Sequence, residues 1–393
     1  MPNKGRVLAL LSGLALFGGT PLTGGTQETG VFDDYILFGQ SAAFSGEAQE
    51  LGKDMRLGIE AAFREAQANG GVHGREIKLL SLDDAYEPEA AIVNTRKLIE
   101  EEDVFALIGA VGTPTSRSAV PVAAAAKVPY IAPFTGAEIL RDPKWNNVMN
   151  LRASYYQETE AMVRYLTQEL DIKRVSVLYQ DDSFGLAGYN GVIRALTKRG
   201  MEAVAVAVYP RNTRAVKTGL LKLRRAAPEA VIMIGSYRPV AEFIAWSRQL
   251  EFNPVFMTLS FVGGNALVQL LGDKGIGVFV TQVVPFPKRD DLPVLKQYRA
   301  ALAAVAPDAP PGFVSLEGYL AGRLTVAALE RAGPQPDREN FVEAIRSIKQ
   351  MDLGGFTLSF DGNNQGSNKV FLTIISEGGQ YSPMADPDQW GKP

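Results

Sequence analysis

The sequence predicts an α/β protein of two Rossmann-like lobes, each a parallel sheet flanked by helices, joined by a three-segment hinge. Three observations predict it. Short apolar runs alternate with amphipathic stretches along nearly the whole chain, as βαβ units do. The alternation pauses at turn-rich or proline- and glycine-marked places where the chain can cross between lobes. One phrase is also written twice: Leu79-Leu80-Ser81-Leu82 runs into Asp83-Asp84-Ala85-Tyr86, and Val177-Leu178-Tyr179-Gln180 runs into Asp181-Asp182-Ser183-Phe184. Each is followed by a helical pattern. The carboxyl end of a parallel strand turning into a helix is where open α/β sheets bind ligands. Two such places suggest two similar lobes facing each other across a cleft.

In order, strands are expected at Ile36 to Gln40, Glu76 to Leu82, Val104 to Ala110 and Pro129 to Ala132. Helices fall between them at Leu51 to Asn69, Pro88 to Glu101 and Thr115 to Lys127. Asp142 to Asn147 is turn-rich and Val148 to Arg152 extended, which sets a first crossing. The second series runs helix Tyr156 to Leu170, strand Arg174 to Tyr179, helix Leu186 to Arg199, strand Ala203 to Tyr209 and helix Val216 to Arg225. It continues with strand Ala230 to Gly235, helix Val240 to Leu250, strand Val255 to Leu259 and an extended Gly277 to Val284. Pro285 and Pro287 mark a second crossing. Helices at Leu292 to Val305 and Val314 to Ala332 return to the first lobe, and a third crossing is expected near Gly354 and Gly355, before strands Thr357 to Phe360 and Val370 to Ser376. Lobe 1 is then 31–152 plus 285–354, and lobe 2 is 153–284 plus 355–393. Three connecting segments permit a bending closure and resist free separation of the lobes.

Residues 1–30 read as a signal peptide and flexible N-terminus: Lys4 and Arg6 precede an apolar stretch from Val7 to Phe17, too short to span a bilayer. The chain is therefore expected to be exported and the segment cleaved. At 393 residues it suits two lobes with their own cores. Its 40 basic and 43 acidic residues leave no electrostatic footprint for nucleic acid. With no cysteine there are no disulfides, thiolate metal sites or lipidated N-terminal cysteine, and the single histidine, His73, sits in a glycine-rich turn where one imidazole makes neither a metal cluster nor a triad. No nucleophile elbow, His-Glu-x-x-His helix or dinucleotide fingerprint in its proper setting is present, so no enzyme, cofactor or metal is expected.

Gly112-Thr113-Pro114 follows a buried strand and opens a helix, which places Thr113 as an N-cap and the helix amino end toward a carboxylate or other electronegative group. Aromatics gather near expected strand ends: Phe44, Tyr86, Phe134, Tyr155, Phe184, Tyr237 and Phe261. Their accumulation favours a partly apolar ligand pocket. The aspartate pairs are accounted for by loop polarity and capping.

Gly70-Gly71-Val72-His73-Gly74-Arg75-Glu76-Ile77, Ile108-Gly109-Ala110-Val111-Gly112-Thr113, Val128-Pro129-Tyr130-Ile131-Ala132-Pro133 and Gln180-Asp181-Asp182-Ser183-Phe184-Gly185 resemble type I periplasmic binding proteins. The kind most similar is the branched-chain amino acid (leucine/isoleucine/valine) receptor of ABC importers. The resemblance covers roughly Tyr35 to the end and implies a two-lobed, non-enzymatic receptor that delivers solute to an inner-membrane permease; the duplicated phrase and the three crossings lead to the expectation of a monomer that closes around its ligand. By the same resemblance Thr113 takes the position of the hydroxyl that holds a ligand carboxylate, with Pro133-Phe134-Thr135-Gly136 as the second loop. Leu51 replaces an aromatic, Phe184 replaces a tyrosine, Tyr237 keeps one, and Ser260 stands where the acid that pairs with the ligand ammonium belongs.

A missing ammonium partner implies a small carboxylate, amide or partly apolar ligand rather than a free amino acid. Arg152 and Arg238 lie near the hinge and cleft, where either could meet a carboxylate; Asp181 and Asp182 are rival candidates for the missing acid. The alternatives are a periplasmic carrier of a larger hydrophobic molecule such as a lipid or sterol, which Leu51, Phe134 and Phe184 favour, and an amino-acid receptor or sensory ligand-binding module.

Overall fold

The computed structural model describes residues 1–2 and 28–384, so the expected signal segment lies almost wholly outside the described residues. The strands in chain order are β1 Tyr35–Ala42, β2 Glu76–Asp83, β3 Ala106–Ile108, β4 Tyr130–Ile131, β5 Val148–Met149, β6 Val175–Asp181 and β7 Ala205–Pro210. They continue with β8 Ala230–Ile234, β9 Val255–Thr258, β10 Phe279–Gln282, β11 Met351–Asp352, β12 Thr357–Leu358, β13 Phe371–Ser376 and β14 Gln380–Pro383. The helices are α1 Gln49–Ala68, α2 Pro88–Glu100, α3 Thr113–Ala125, α4 Tyr155–Arg164, α5 Ser183–Thr197 and α6 Lys217–Arg225. After these come α7 Tyr237–Gln249, α8 Gly264–Leu271, α9 Pro293–Val305, α10 Phe313–Ala332 and α11 Arg338–Arg346. The glycine-led α8 and the short α11 lie where the apolar spacing predicts no element.

One sheet has the order β2-β1-β3-β4-β5 and is parallel throughout. The other has the order β14-β13-β10-β9-β8-β6-β7, its five-strand stretch from β10 to β7 parallel and β13 and β14 antiparallel at one edge. Every residue of β8 and β10 is buried, as strands covered by helices on both faces must be. The winding 2-1-3-4-5 recurs as 7-6-8-9-10, so each sheet has a switch point where its loops part, between β1 and β3 and between β6 and β8. This is the α/β fold of two Rossmann-like units that the alternation predicts.

The shared winding corrects the meaning of the duplicated phrase. By sheet order β6 is the counterpart of β1, and β7 of β2, so the phrase follows β2 in one lobe and β6 in the other. The two aspartate pairs both sit at strand carboxyl ends, at inequivalent places.

The chain leaves the first sheet after β5, crosses back after β10, and lays α9 and α10 along α1. The last crossing is later than the glycines suggest. Gly354 and Gly355, at φ +93° and +97°, make the turn between β11 and β12, and both N–H groups donate to Asp352 Oδ1. Phe360 N then donates to Ile348 O at 2.8 Å and Gln365 bridges Asn150. Residues 355–366 therefore stay with the first sheet, and the expected strand Thr357 to Phe360 is a two-residue hairpin arm; the second sheet is joined only at Phe371, opposite Gln282. No helix among the described residues is long and apolar enough to cross a membrane.

Candidate ligand-binding site

The carboxyl ends of both sheets converge on a buried junction. Thr113 differs from its expected role as a cap: Gly112, at φ +103°, holds the cap position, Thr113 is the first helical residue, and no side chain caps α3. A Cβ on Gly112 would lie 2.2 Å from Tyr86 Cε2, so both backbone angle and space require glycine. The freed Thr113 hydroxyl lies 2.7 Å from that of Thr135, which also accepts from Ala137 N at 3.2 Å. Gly136 O accepts from Tyr155 N at 2.6 Å, and a Cβ there would meet the Tyr155 ring at 2.6 Å.

Phe261, in the turn after β9, is the hub of an aromatic cluster drawn from both lobes. Its ring centroid lies 4.4 Å from Phe184, 5.4 Å from Phe134 and 6.1 Å from Tyr86, and Tyr155 is 5.5 Å from Phe184. All five rings are buried. Burial pushes the Tyr155 hydroxyl up to about 12, against the opposing pull of the Arg152 charge and the Thr135 hydroxyl. Phe44 lies apart from the cluster, under the Arg56 guanidinium.

Against this wall lies a buried charge cluster. Arg152 is fully buried, 4.9 Å from the Phe134 ring centre; its Nη2 contacts Glu158 at 3.2 Å and donates to Ser260 Oγ, and its Nη1 lies 3.6 Å from Glu317. Its Nε and Nη1 donate no hydrogen bond. Glu158 also accepts from Ser260 N at 2.9 Å, Ser260 Oγ at 3.0 Å and Thr281 Oγ1 at 2.6 Å. These four contacts fill the roughly four lone-pair sites of a carboxylate. Glu317 is held by the single ion contact, and burial raises its carboxyl to about 7.

Leu51 and Tyr237 are buried where the two lobes touch. Leu51 Cδ2 would be 2.5 Å from a Cβ on Gly263 of the opposite lobe, and Tyr237 Oη accepts from Glu50 N at 3.3 Å. Arg238 turns to Glu47 at 3.4 Å. The aspartate pairs are absorbed by their loops. Asp182 caps α5 through Phe184 N and Gly185 N, and Asp84 accepts from Ser41 Oγ and Tyr86 N, its carboxyl raised by burial to about 6.

The structure thus brings Tyr86, Phe134, Tyr155, Phe184, Phe261, Arg152 and Ser260 into one cluster, with Thr113 at the start of α3 and Thr135 and Gly136 in the loop after β4 beside it. Sequence reasoning missed Glu158, Glu317 and Thr281. Glu317 left a signal, a lone acid in the apolar run Val314 to Leu320. Among the described residues no group of three or more His, Cys, Asp or Glu could hold a metal ion.

A family model for periplasmic binding proteins matches residues 36–380. The chain belongs to the periplasmic binding protein family. A solved structure of a possible leucine/isoleucine/valine-binding protein from Rhodopirellula baltica SH 1 is 39% identical at a TM-score of 0.85, covering 90% of this chain and 96% of that one. A substrate-binding periplasmic protein from Ralstonia solanacearum is 30% identical at a TM-score of 0.84, covering 88% and 99%. Leu/Ile/Val-binding protein homolog 7 of Brucella abortus (strain 2308) is 24% identical over 356 residues, 86% of this chain and 88% of that protein. This periplasmic binding protein is accordingly a solute receptor of the ABC-transport kind with a type I fold.

Proposed function

We propose that this periplasmic binding protein takes a small, partly apolar carboxylate or amide in preference to a free α-amino acid and hands it to an inner-membrane permease. One observation carries the reading: the Arg152 guanidinium lies against Ser260, the position from which the resemblance has amino-acid receptors meet the ligand ammonium. The neighbouring acid, Glu158, has spent its acceptor sites on protein donors. An ammonium placed there meets the Arg152 guanidinium, a like charge, while the two acids that offset it, Glu158 and Glu317, are already turned to that guanidinium. A ligand carboxylate would instead take up Arg152 Nε and Nη1, two buried donors without a hydrogen bond. Thr113 and Thr135 would supply hydroxyls beside the amino end of α3, and the rings around Phe261 an apolar wall.

A second reading is favoured by Glu317, whose carboxylate has one partner and could serve an ammonium; the relatives named for leucine, isoleucine and valine agree with it. Mass spectrometry of whatever co-purifies with the protein and is released on denaturation separates the two. A carboxylic acid or amide is expected, and a branched-chain amino acid would overturn the proposal. In this reading the segment 1–30 is a cleaved export signal, the mature protein works in the periplasm as a monomer, and Leu51, Tyr86, Tyr155, Phe184 and Tyr237 complete the ligand's surroundings.

A further inference from the structure

We infer that Arg211 is a positioning residue that couples closure of the lobes to the placement of Tyr86 in the ligand wall. The loop after β2 and the loop after β7 hold counterpart places in the two sheets, and they meet across the boundary between the lobes. Arg211 Nη1 donates to Tyr86 O at 2.8 Å, and Nη2 lies 2.8 Å from Glu87 Oε2. Asn212 Nδ2 donates to Glu87 Oε1 at 2.6 Å and to Ala85 O at 3.4 Å. The backbone they grip is unusual: Ala85 and Tyr86 are consecutive non-glycine residues at φ +49° and +64°.

Within its own lobe this loop is held by its N–H groups, Ala85 N on Asp83 Oδ1 and Tyr86 N on Asp84 Oδ1, both at 2.9 Å. Its carbonyls are held by the other lobe. An opened cleft therefore releases the Ala85 and Tyr86 carbonyls from Arg211 and Asn212 and loosens a left-handed pair that L-residues seldom adopt. The Tyr86 ring follows, because it is this backbone that sets it against Gly112, 6.1 Å from Phe261 and within 3.5 Å of Gln180 Nε2. The flanking contacts have the same polarity. Glu47 of the first lobe pairs with Arg214 at 2.8 Å and with Arg238 at 3.4 Å of the second. The first lobe thus offers acids at the boundary and the second arginines, an arrangement that salt screens.

The inference rests on Tyr86 forming part of the ligand wall and is independent of which ligand class binds there, so its test uses ligand-free protein. The cysteine-free chain accepts a dye pair through Val93→Cys on α2 and Leu221→Cys on α6, both well exposed and one on each lobe. Single-molecule energy transfer then reads the ratio of closed to open molecules. That ratio should fall as salt rises from about 20 to about 500 mM, and Arg211→Ala should lower it about three- to tenfold at low salt. Hydrogen exchange should show residues 84–87 opening about tenfold faster in Arg211→Ala, with β1 unchanged. Arg211→Lys keeps a charge for Glu87 without the fork that also reaches Tyr86 O. It should restore the closed ratio and leave the loop fast. An unchanged ratio with unchanged exchange would overturn the inference, and so would faster exchange spread evenly over the first lobe.

Discussion

Replacing Glu317 by glutamine removes a group whose titration is set by its burial beside Arg152. Burial raises its carboxyl from 4.5 to about 7, and the Arg152 charge offsets only part of that rise. A shift of that size corresponds to roughly 3 kcal/mol at ~1.36 kcal/mol per pH unit. Its direction follows from proton binding. Between the unfolded and folded values the native protein binds the proton more tightly than the unfolded chain, so this group's contribution to stability is full below about 4.5, falls as pH rises, and is gone above about 7. Glu317→Gln should therefore match the parent protein at pH ~4 and exceed it by up to roughly 3 kcal/mol at pH ~8.5. Asp54 and Asp84, which burial also raises, to about 7 and about 6, titrate in the same window and are common to both proteins. Calorimetric melting of parent and variant at the two pH values isolates the difference. If the gap between them is the same at both, Glu317 does not carry a burial-raised carboxyl and the account of the charge cluster fails. The same variant should flatten the pH dependence of carboxylate affinity, which in the parent weakens as Glu317 ionises beside the ligand.

Thr113→Ala deletes a hydroxyl that pairs with Thr135 and caps nothing, so it should cost about 1 kcal/mol of stability and about tenfold in affinity; isothermal titration beside a melting curve separates the two. A lowered melting point with intact affinity would take Thr113 out of the site. Arg152→Met strands Glu158 and should destabilise the fold by about 3–5 kcal/mol, with part of the loss recovered when Glu317→Gln is added; equal melting points for parent and single variant would contradict the buried pair. Gly112→Ala forces a Cβ to 2.2 Å from Tyr86 at φ +103° and should cost more than about 1 kcal/mol by chemical denaturation. Free tolerance of that alanine would mean that the Tyr86 ring is not packed there.

The fold was legible because helix and strand periods differ and punctuation is local. Pro285 with Pro287, and the alternation of apolar runs from Ile36 to Leu259, mark elements whatever surrounds them. Gly354 and Gly355 misled for the same reason: a glycine pair announces a turn without saying whether the chain then leaves the lobe or folds into a hairpin. The aromatic members of the site were legible as residues at strand ends, since sheet topology delivers those ends to one crevice. The charges were not. Glu158 and Glu317 are separated by most of the second lobe in sequence, and only the packing of α4 and α10 about Arg152 makes them partners. Thr113 was readable as a polar residue at a helix start, but whether its hydroxyl turned to the helix or to Thr135 depended on the loop after β4.

Calorimetry on the ligand-stripped protein tests the central claim most directly, by comparing leucine with its desamino analogue, 4-methylpentanoate. The two differ by the ammonium alone, which is the group the Arg152–Ser260 corner should refuse. The account predicts that 4-methylpentanoate binds at least about a hundredfold more tightly. Leucine binding as tightly as its analogue, or more tightly, would contradict it and assign Glu317 the role of ammonium partner.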